Sequence, residues 1–192
     1  MNVYDFDHTI YDGDSTVDFY LYCVKKHPQV LLALPFQAAA VLMYLLKKYD
    51  KTRMKQGFYR FLKWIPADEA FLGRFWQKHI TKIQPWYLQQ KQVEDVVISA
   101  SPEFLLRPVC NELGIRLIAS GVEQSSGRCT TPNCHDKEKV QRFRAEYPKE
   151  EITAFYSDSL SDQPMAAISC KAFLVKGQMI SPWPNNSKQE LL

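Results

Sequence analysis

From residue 93 onward the chain alternates between two textures, and few folds accommodate that alternation. VEDVVIS at 93–99 is a β-branched run with turn chemistry behind it, which suits a strand buried on both faces. Pro102 can sit in the first turn of a helix running to residue 113, where Gly114 is a natural stop. IRLIAS at 115–120 is the next strand, and 121–133 reads as a hairpin or flap turning at Gly127. A helix over 136–147, the strand EITAFYS, a helix over SDQPMAAIS and a last strand KAFLV complete the series. The order β-α-β-flap-α-β-α-β predicts a mainly parallel sheet covered by helices on both faces, a three-layer, Rossmann-like α/β sandwich. SPWPNNSKQELL at the end is polar and broken by prolines, and reads as a frayed tail.

The short run NVYDF at 2–6 has to join this sheet. Between it and residue 93 the pattern is helical, over 16–26, 29–48, 52–64, 67–82 and 86–91, punctuated by Gly57, Pro66 and Pro85. Ser15 with Asp18 three residues on resembles a capping box opening the first of these helices, which Pro28 stops. The division that follows is an α/β core of 1–13 and 92–192 with an all-helical cap, 14–91, inserted over one end. The aromatics of the cap, Trp64, Trp76 and Trp86 among them, read as its core. The segment 30–46, VLLALPFQAAAVLMYLL, contains Pro35 and Gln37 and falls short of the roughly 20 residues of a span. It is expected to be helical cap core. A lipid-facing surface is the second reading, because Lys47 and Lys48 follow directly.

In open α/β sheets ligands bind beyond the C-terminal ends of the strands. Those ends are Asp5-Phe6-Asp7, Ser99-Ala100-Ser101 and Ser157-Asp158, with Asp162 close behind. Carboxylates packed together repel unless a cation or shared proton relieves them. Mg2+ takes oxygen ligands and keeps several waters. Carboxylates converging from two strand tips therefore make a magnesium site. Ser99 and Ser101 also suit the cap of the following helix, and Asp158 and Asp162 complement a helix N-terminus.

Asp5-Phe6-Asp7-His8-Thr9 is a DxDxT run behind an apolar strand. VVISAS at 96–101, Lys139 in KEKV and YSDSLSD at 156–162 follow in order, each at an expected element end. Together these resemble the four motifs of the haloacid dehalogenase superfamily, in the subclass with a helical cap after the first motif that holds phosphoserine phosphatase and a bacterial phosphatidylglycerophosphatase. The resemblance implies a Mg2+-dependent phosphohydrolase. Asp5 is then the nucleophile that forms an aspartyl-phosphate, and Asp7 the general acid and base. Asp5, the backbone carbonyl of Asp7 and Asp158 would bind Mg2+, with Asp162 in support. Ser99 and the backbone N–H of Ala100 would hold phosphate, and Lys139 would neutralise charge. Asp136 stands where the family commonly has glycine, which leaves Lys137 as a rival to Lys139, and Ser101 is a rival to Ser99. His8 has no role in this pattern, while Asp14 and Ser15 lie where the chain enters the cap, where helix capping is the first reading and contact with a substrate the second. The implied substrate is a small phosphomonoester or a lipid phosphate. A phosphotransferase or mutase, and a non-catalytic phosphate-binding regulatory domain of the same fold, are the alternatives.

The formal charge of +3 lacks the basic excess of a nucleic-acid binder. Five scattered cysteines without CxxC spacing imply free thiols and a cytoplasmic setting, membrane-associated if 30–46 meets lipid. Cys129, Cys134 and His135 lack a fourth ligand and the paired spacing of a zinc site. Residues 1–8 lack the pattern of a signal peptide.

Overall fold

The computed structural model describes residues 1–184. Six strands form one sheet in the order β3-β2-β1-β4-β5-β6. They are β1 (Asn2–Tyr4), β2 (Val96–Pro102), β3 (Arg116–Ser120), β4 (Ile152–Ser157), β5 (Ser169–Lys176) and β6 (Met179–Pro182). The first five run parallel and β6 pairs antiparallel with β5. The fold is thus the expected three-layer α/β sandwich. β1, only three residues long, sits in the middle with Val3 and Tyr4 fully buried.

Strand periodicity divides the core into two layers. Tyr4, Val97, Leu117 and Ala119 face α6 (Glu103–Leu113) and the inserted helices. Val3, Val96, Ile98 and Ile118 face the other way, toward Phe143 of α7 (Lys137–Glu146) and Met165 of α8 (Gln163–Ala167). Gly114 ends α6 with φ 68°, the left-handed conformation that glycine adopts without a Cβ penalty.

Between β1 and β2 the chain is helical. It forms α1 (Ser15–Lys26), α2 (Leu34–Leu45), α3 (Lys51–Phe58), α4 (Glu69–His79) and α5 (Pro85–Gln90), joined in part by 3-10 turns at Pro28–Ala33, Tyr59–Trp64 and Ile80–Lys82. Three of the helices expected from the pattern, 29–48, 52–64 and 67–82, therefore break into an α part and a 3-10 part. Phe19, Phe61, Phe71 and Phe75 fill the interior of this insertion, and Trp76 ties it to the core by donating its indole N–H to the Leu105 carbonyl of α6 at 2.7 Å.

Three local expectations are corrected. The segment 30–46 is not cap core: of Pro28–Ala33 and α2 only Val30, Ala33, Gln37 and Ala40 are buried. The aromatics already fill the interior, so this apolar segment lies on the outside. The N-cap of α1 is Asp14, whose carboxylate accepts from Val17 N–H at 2.9 Å; Ser15 is the first helical residue. The tail is ordered through its first residues: 181–182 belong to β6, and Trp183 is buried against Phe155 with its indole N–H on Gln163 Oε1 at 2.6 Å. The rest of that expected tail, 185–192, lies outside the described residues.

Candidate active site

Past Tyr4 the chain keeps its place in the sheet for one more bond, Asp5 N–H to the Tyr156 carbonyl at 2.9 Å. It then turns. Phe6 is buried against Tyr11 and Trp76, the Phe6 carbonyl accepts from Tyr11 N–H at 3.0 Å, and His8 takes a positive φ of 56°. His8 N–H closes the loop on the Gly13 carbonyl at 2.8 Å, where φ is 123° and a side chain would be strained. The loop brings the start of α1 to Asp7. Ser15 N–H donates to Asp7 Oδ1 at 2.7 Å, and the Ser101 hydroxyl donates to Asp7 Oδ2. Thr16 Oγ1 lies 3.1 Å from Ser101 Oγ.

Asp5 faces elsewhere. Its Oδ1 accepts from Phe6 N–H at 2.8 Å and lies 3.1 Å from Lys139 Nζ. Lys139 is fully buried and bonds more closely to Asp162 Oδ2, at 2.7 Å, which also accepts from the Ser157 hydroxyl at 2.8 Å. Asp162 Oδ1 is buried without a hydrogen-bond partner. Lys137, the rival lysine, is exposed. Asp158 is placed by its own N–H, which donates to Thr9 Oγ1 at 3.0 Å, so the threonine of the first motif holds the loop of the fourth.

Ser99 is buried; its Oγ accepts from Ser101 N–H at 3.1 Å. The Ala100 carbonyl accepts from Lys55 Nζ at 2.7 Å and the Ser120 hydroxyl at 3.0 Å. Asp5, Asp7, Ser99, Ala100, Lys139, Asp158 and Asp162 all line one cavity of about 440 Å³. Ser101, Asp14 and His8 line it too, so both serines stay in contention for phosphate. Ser15 reaches Asp7 through its backbone N–H, while its hydroxyl is buried and unpartnered.

The electrostatics follow from burial. Desolvation pushes Asp5 up to about 7, helped by the charges of Asp162, Asp7 and Asp158 and opposed by Lys139. Asp7 is raised by desolvation and by Asp14, against its hydrogen bonds from Ser101 and Ser15. Asp158 is raised by burial and by Asp162, while His8 works the other way. Desolvation acts to lower Lys139, and the carboxylates of Asp5 and Asp162 outweigh it, so the ammonium stays charged. Burial makes the Asp5 carboxyl hard to ionise, and the neighbouring carboxylates make the lysine hard to neutralise. Asp5 and Asp162 share the buried Lys139 ammonium, and Asp162 holds it more closely than Asp5 does.

Sequence reasoning missed the wall that the insertion supplies. Lys51, Met54, Lys55 and Phe58 of α3 line the same cavity, as do Tyr59 and His135. Burial pushes Lys55 down to about 8, with Lys51 adding to the effect. The available signal was the i, i+4 spacing of two lysines behind Asp50, the N-cap of α3.

Among the described residues no group of three His, Cys, Asp or Glu side chains converges as a ready-made metal cage. Mg2+ does not require one, since it keeps waters and accepts a backbone carbonyl. The excess of carboxylate over cation, and the unpartnered Asp162 Oδ1, fit a divalent ion held by Asp5, Asp158 and the Asp7 carbonyl.

Residues 3–167 match the family model of haloacid dehalogenase-like hydrolases. Among solved structures, a Bordetella pertussis protein superposes with a TM-score of 0.71 at 18% identity, covering 90% of this chain and 87% of its own. A probable phosphoserine phosphatase from Vibrio cholerae gives 0.59 at 15% identity over 89% of this chain and 55% of its own, so this chain spans about half of it. A phosphoserine phosphohydrolase-like protein from Francisella tularensis gives 0.53 at 14% identity, covering 90% and 86%. At these identities the likeness is one of fold. No curated protein matches the sequence.

Proposed function

The chain belongs to the haloacid dehalogenase-like hydrolases, and we propose that it hydrolyses a phosphomonoester with Mg2+ through an aspartyl-phosphate on Asp5. One observation carries this reading. Two carboxylates at one strand end are held for different work, Asp5 against Lys139 and Asp7 between the α1 N-terminus and Ser101.

Asp5 attacks phosphorus and the ester P–O bond breaks. Asp7, whose raised affinity for a proton suits an acid, protonates the leaving alkoxide. Water then attacks the phosphoenzyme. Asp7, now a carboxylate, takes the water's proton, and Asp5 is released with inorganic phosphate. Lys139 offsets charge on Asp5 throughout, held in place by Asp162, whose carboxylate also accepts from the Ser157 hydroxyl. Ser99, the Ala100 N–H and Ser101, residues that line the cavity, would hold the phosphoryl oxygens. Asp5, Asp158 and the Asp7 carbonyl would hold Mg2+, which when bound neutralises phosphate charge and aligns the group for in-line transfer.

A lipid phosphate is favoured over a small soluble ester by the exposed apolar surface of the insertion, where Leu42 is 57% and Leu45 70% accessible. Phosphate release from phosphoserine, sugar phosphates, nucleotides and phosphatidylglycerophosphate, with Mg2+ and with EDTA, tests the proposal. Metal-dependent turnover that disappears in Asp5→Asn is the expected result. Turnover that survives Asp5→Asn removes Asp5 as nucleophile. Phosphorylated alcohol formed in the presence of added acceptor would assign transfer instead of hydrolysis.

A further inference from the structure

We propose that the helical insertion docks on an anionic lipid bilayer through α2 and its preceding 3-10 turn. The proposal extends the phosphatase reading only in saying from where the substrate arrives; the docking itself is independent of it.

The first observation is an unpartnered apolar face. Leu32, Leu34, Val41, Leu42, Leu45 and Leu46 are all at least 45% exposed, on a segment that contains no charged residue. Scattered surface leucines are ordinary, but a contiguous set of this size marks an interaction site.

The second is that this face cannot be turned inward. Gln37, which is buried, accepts from the Tyr20 hydroxyl at 3.2 Å and donates to the Phe58 carbonyl at 3.1 Å. Gly57 of α3 lies so close that a Cβ there would stand 2.3 Å from Ala40 Cβ. Val30 and Ala33 are fully buried. The helical segment begins at Pro28, before the 30–46 read from the sequence as too short for a span, and by length and composition Pro28–Leu45 is long and apolar enough to cross a membrane. Fastened along one side to α1 and α3, it is instead arranged to lie in the interface plane with its apolar side down.

The third is charge. Between Asp18 and Asp68 the chain carries nine Lys or Arg and a single acidic residue, Asp50, whereas the rest of the chain carries 15 Lys or Arg and 20 Asp or Glu. Lys25, Lys26, Lys47, Lys48, Arg53 and Arg60 are exposed around the apolar face. A second copy of the chain docking through the same face would bring these cations against each other. An anionic surface attracts them.

The fourth is position. A groove of about 630 Å³ runs between α2 and α3, with Phe36, Ala40 and Met43 on its apolar side and Arg53, Arg60 and Arg128 on its cationic side. The Arg60 guanidinium lies 3.9 Å from the Phe36 ring centroid. α3 and the 3-10 turn after it are therefore a shared wall, with Lys51 and Lys55 of α3 toward the catalytic cavity, and Arg53 of α3 and Arg60 of the turn toward the groove. α3, roughly 10 Å across, is what separates this groove from the cavity that would take a lipid-borne phosphate.

The test is sedimentation of the full chain with phosphatidylcholine vesicles, with and without phosphatidylglycerol. The proteins compared are wild type, Asp5→Asn, Leu42→Glu/Leu45→Glu and Lys47→Glu/Lys48→Glu, each checked for native circular dichroism. Wild type and Asp5→Asn are expected to pellet with the anionic vesicles. Each double variant should bind at least tenfold more weakly, and the lysine pair's contribution should fade in high salt. The leucine variant should also lose turnover of phosphatidic acid in vesicles while keeping turnover of a soluble ester. Wild type remaining in the supernatant with anionic vesicles, or double variants that bind like wild type, overturns the proposal. So does a solution dimer that Leu42→Glu/Leu45→Glu dissociates. Binding without any phosphate release would leave the docking standing and remove the phosphatase reading alone.

Discussion

Replacing Lys139 by Met removes one charge with almost no change of volume, which makes the energetic consequence calculable. The ammonium lies 2.7 Å from Asp162 and 3.1 Å from Asp5, and lysine and Asp162 side chains are each 2% exposed. Orphaning a buried charge in such a pair costs about 3–5 kcal/mol. The abandoned carboxyl has one escape, which is to bind a proton. For an ordinary aspartate this costs about 5.6 kcal/mol at pH 8 and about 1.5 kcal/mol at pH 5, at 1.36 kcal/mol per pH unit above about 3.9. At pH 8 the escape is dearer than the strain, so the full 3–5 kcal/mol appears. At pH 5 the loss is limited to about 1.5 kcal/mol. The sign follows from linkage: a carboxyl whose folded pKa is raised stabilises at low pH, and that stability is lost as pH rises through the folded value. Asp5 already behaves this way, pushed up to about 7 from 3.8. Urea denaturation of wild type and Lys139→Met without metal, at pH 5 and pH 8, measures both differences. A loss below about 1 kcal/mol at pH 8, or an equal loss at both pH values, would refute a buried charge cluster held by this lysine.

Two further outcomes are expected. Lys55 keeps its charge below about 8 and loses it above, so the KM of wild type for a phosphomonoester should climb as pH passes that value. In Lys55→Met the KM should be roughly tenfold higher, the worth of one charge-assisted hydrogen bond, and lack that rise; identical profiles would exclude Lys55 from substrate binding. Trp76→Phe removes the indole bond to the Leu105 carbonyl and should cost about 1–2 kcal/mol, read as a lower urea midpoint. An unchanged midpoint would mean that this bond does not fasten α4 to α6.

What could be read from the sequence was whatever depends on local pattern and order. β-branched runs bounded by turn residues are strands wherever they lie, and right-handed crossovers leave a parallel sheet few ways to arrange them. The strand tips then bring Asp5, Ser99 and Asp158 together, because a parallel sheet puts all its C-terminal ends on one side. β6 escaped because its two-residue connection to β5, with Gly177 at φ 60°, and its anchor Trp183 sit among prolines and polar residues.

The misreading of 30–46 has a different cause. An apolar helix pattern says that a face avoids water; it does not say what covers that face. Burial is a competition for interior volume, and Phe19, Phe61, Phe71, Phe75 and Trp76 occupy it first, since large rings bury the most surface per residue. The leucines of α2 are left outside by packing that no local window contains. The same reasoning explains why Lys51 and Lys55 went unread as site residues. A lysine pair at i, i+4 is ordinarily a solvated face, and only the folding of the insertion over the C-terminal ends of the strands brings this one to the cavity that Asp5 and Asp7 line. The candidate carboxylates Asp5 and Asp7 are legible because the proposed chemistry would fix their spacing just past one strand. The groups that would choose the substrate are not, because they reach it from a separate layer whose position is decided by the core of the insertion.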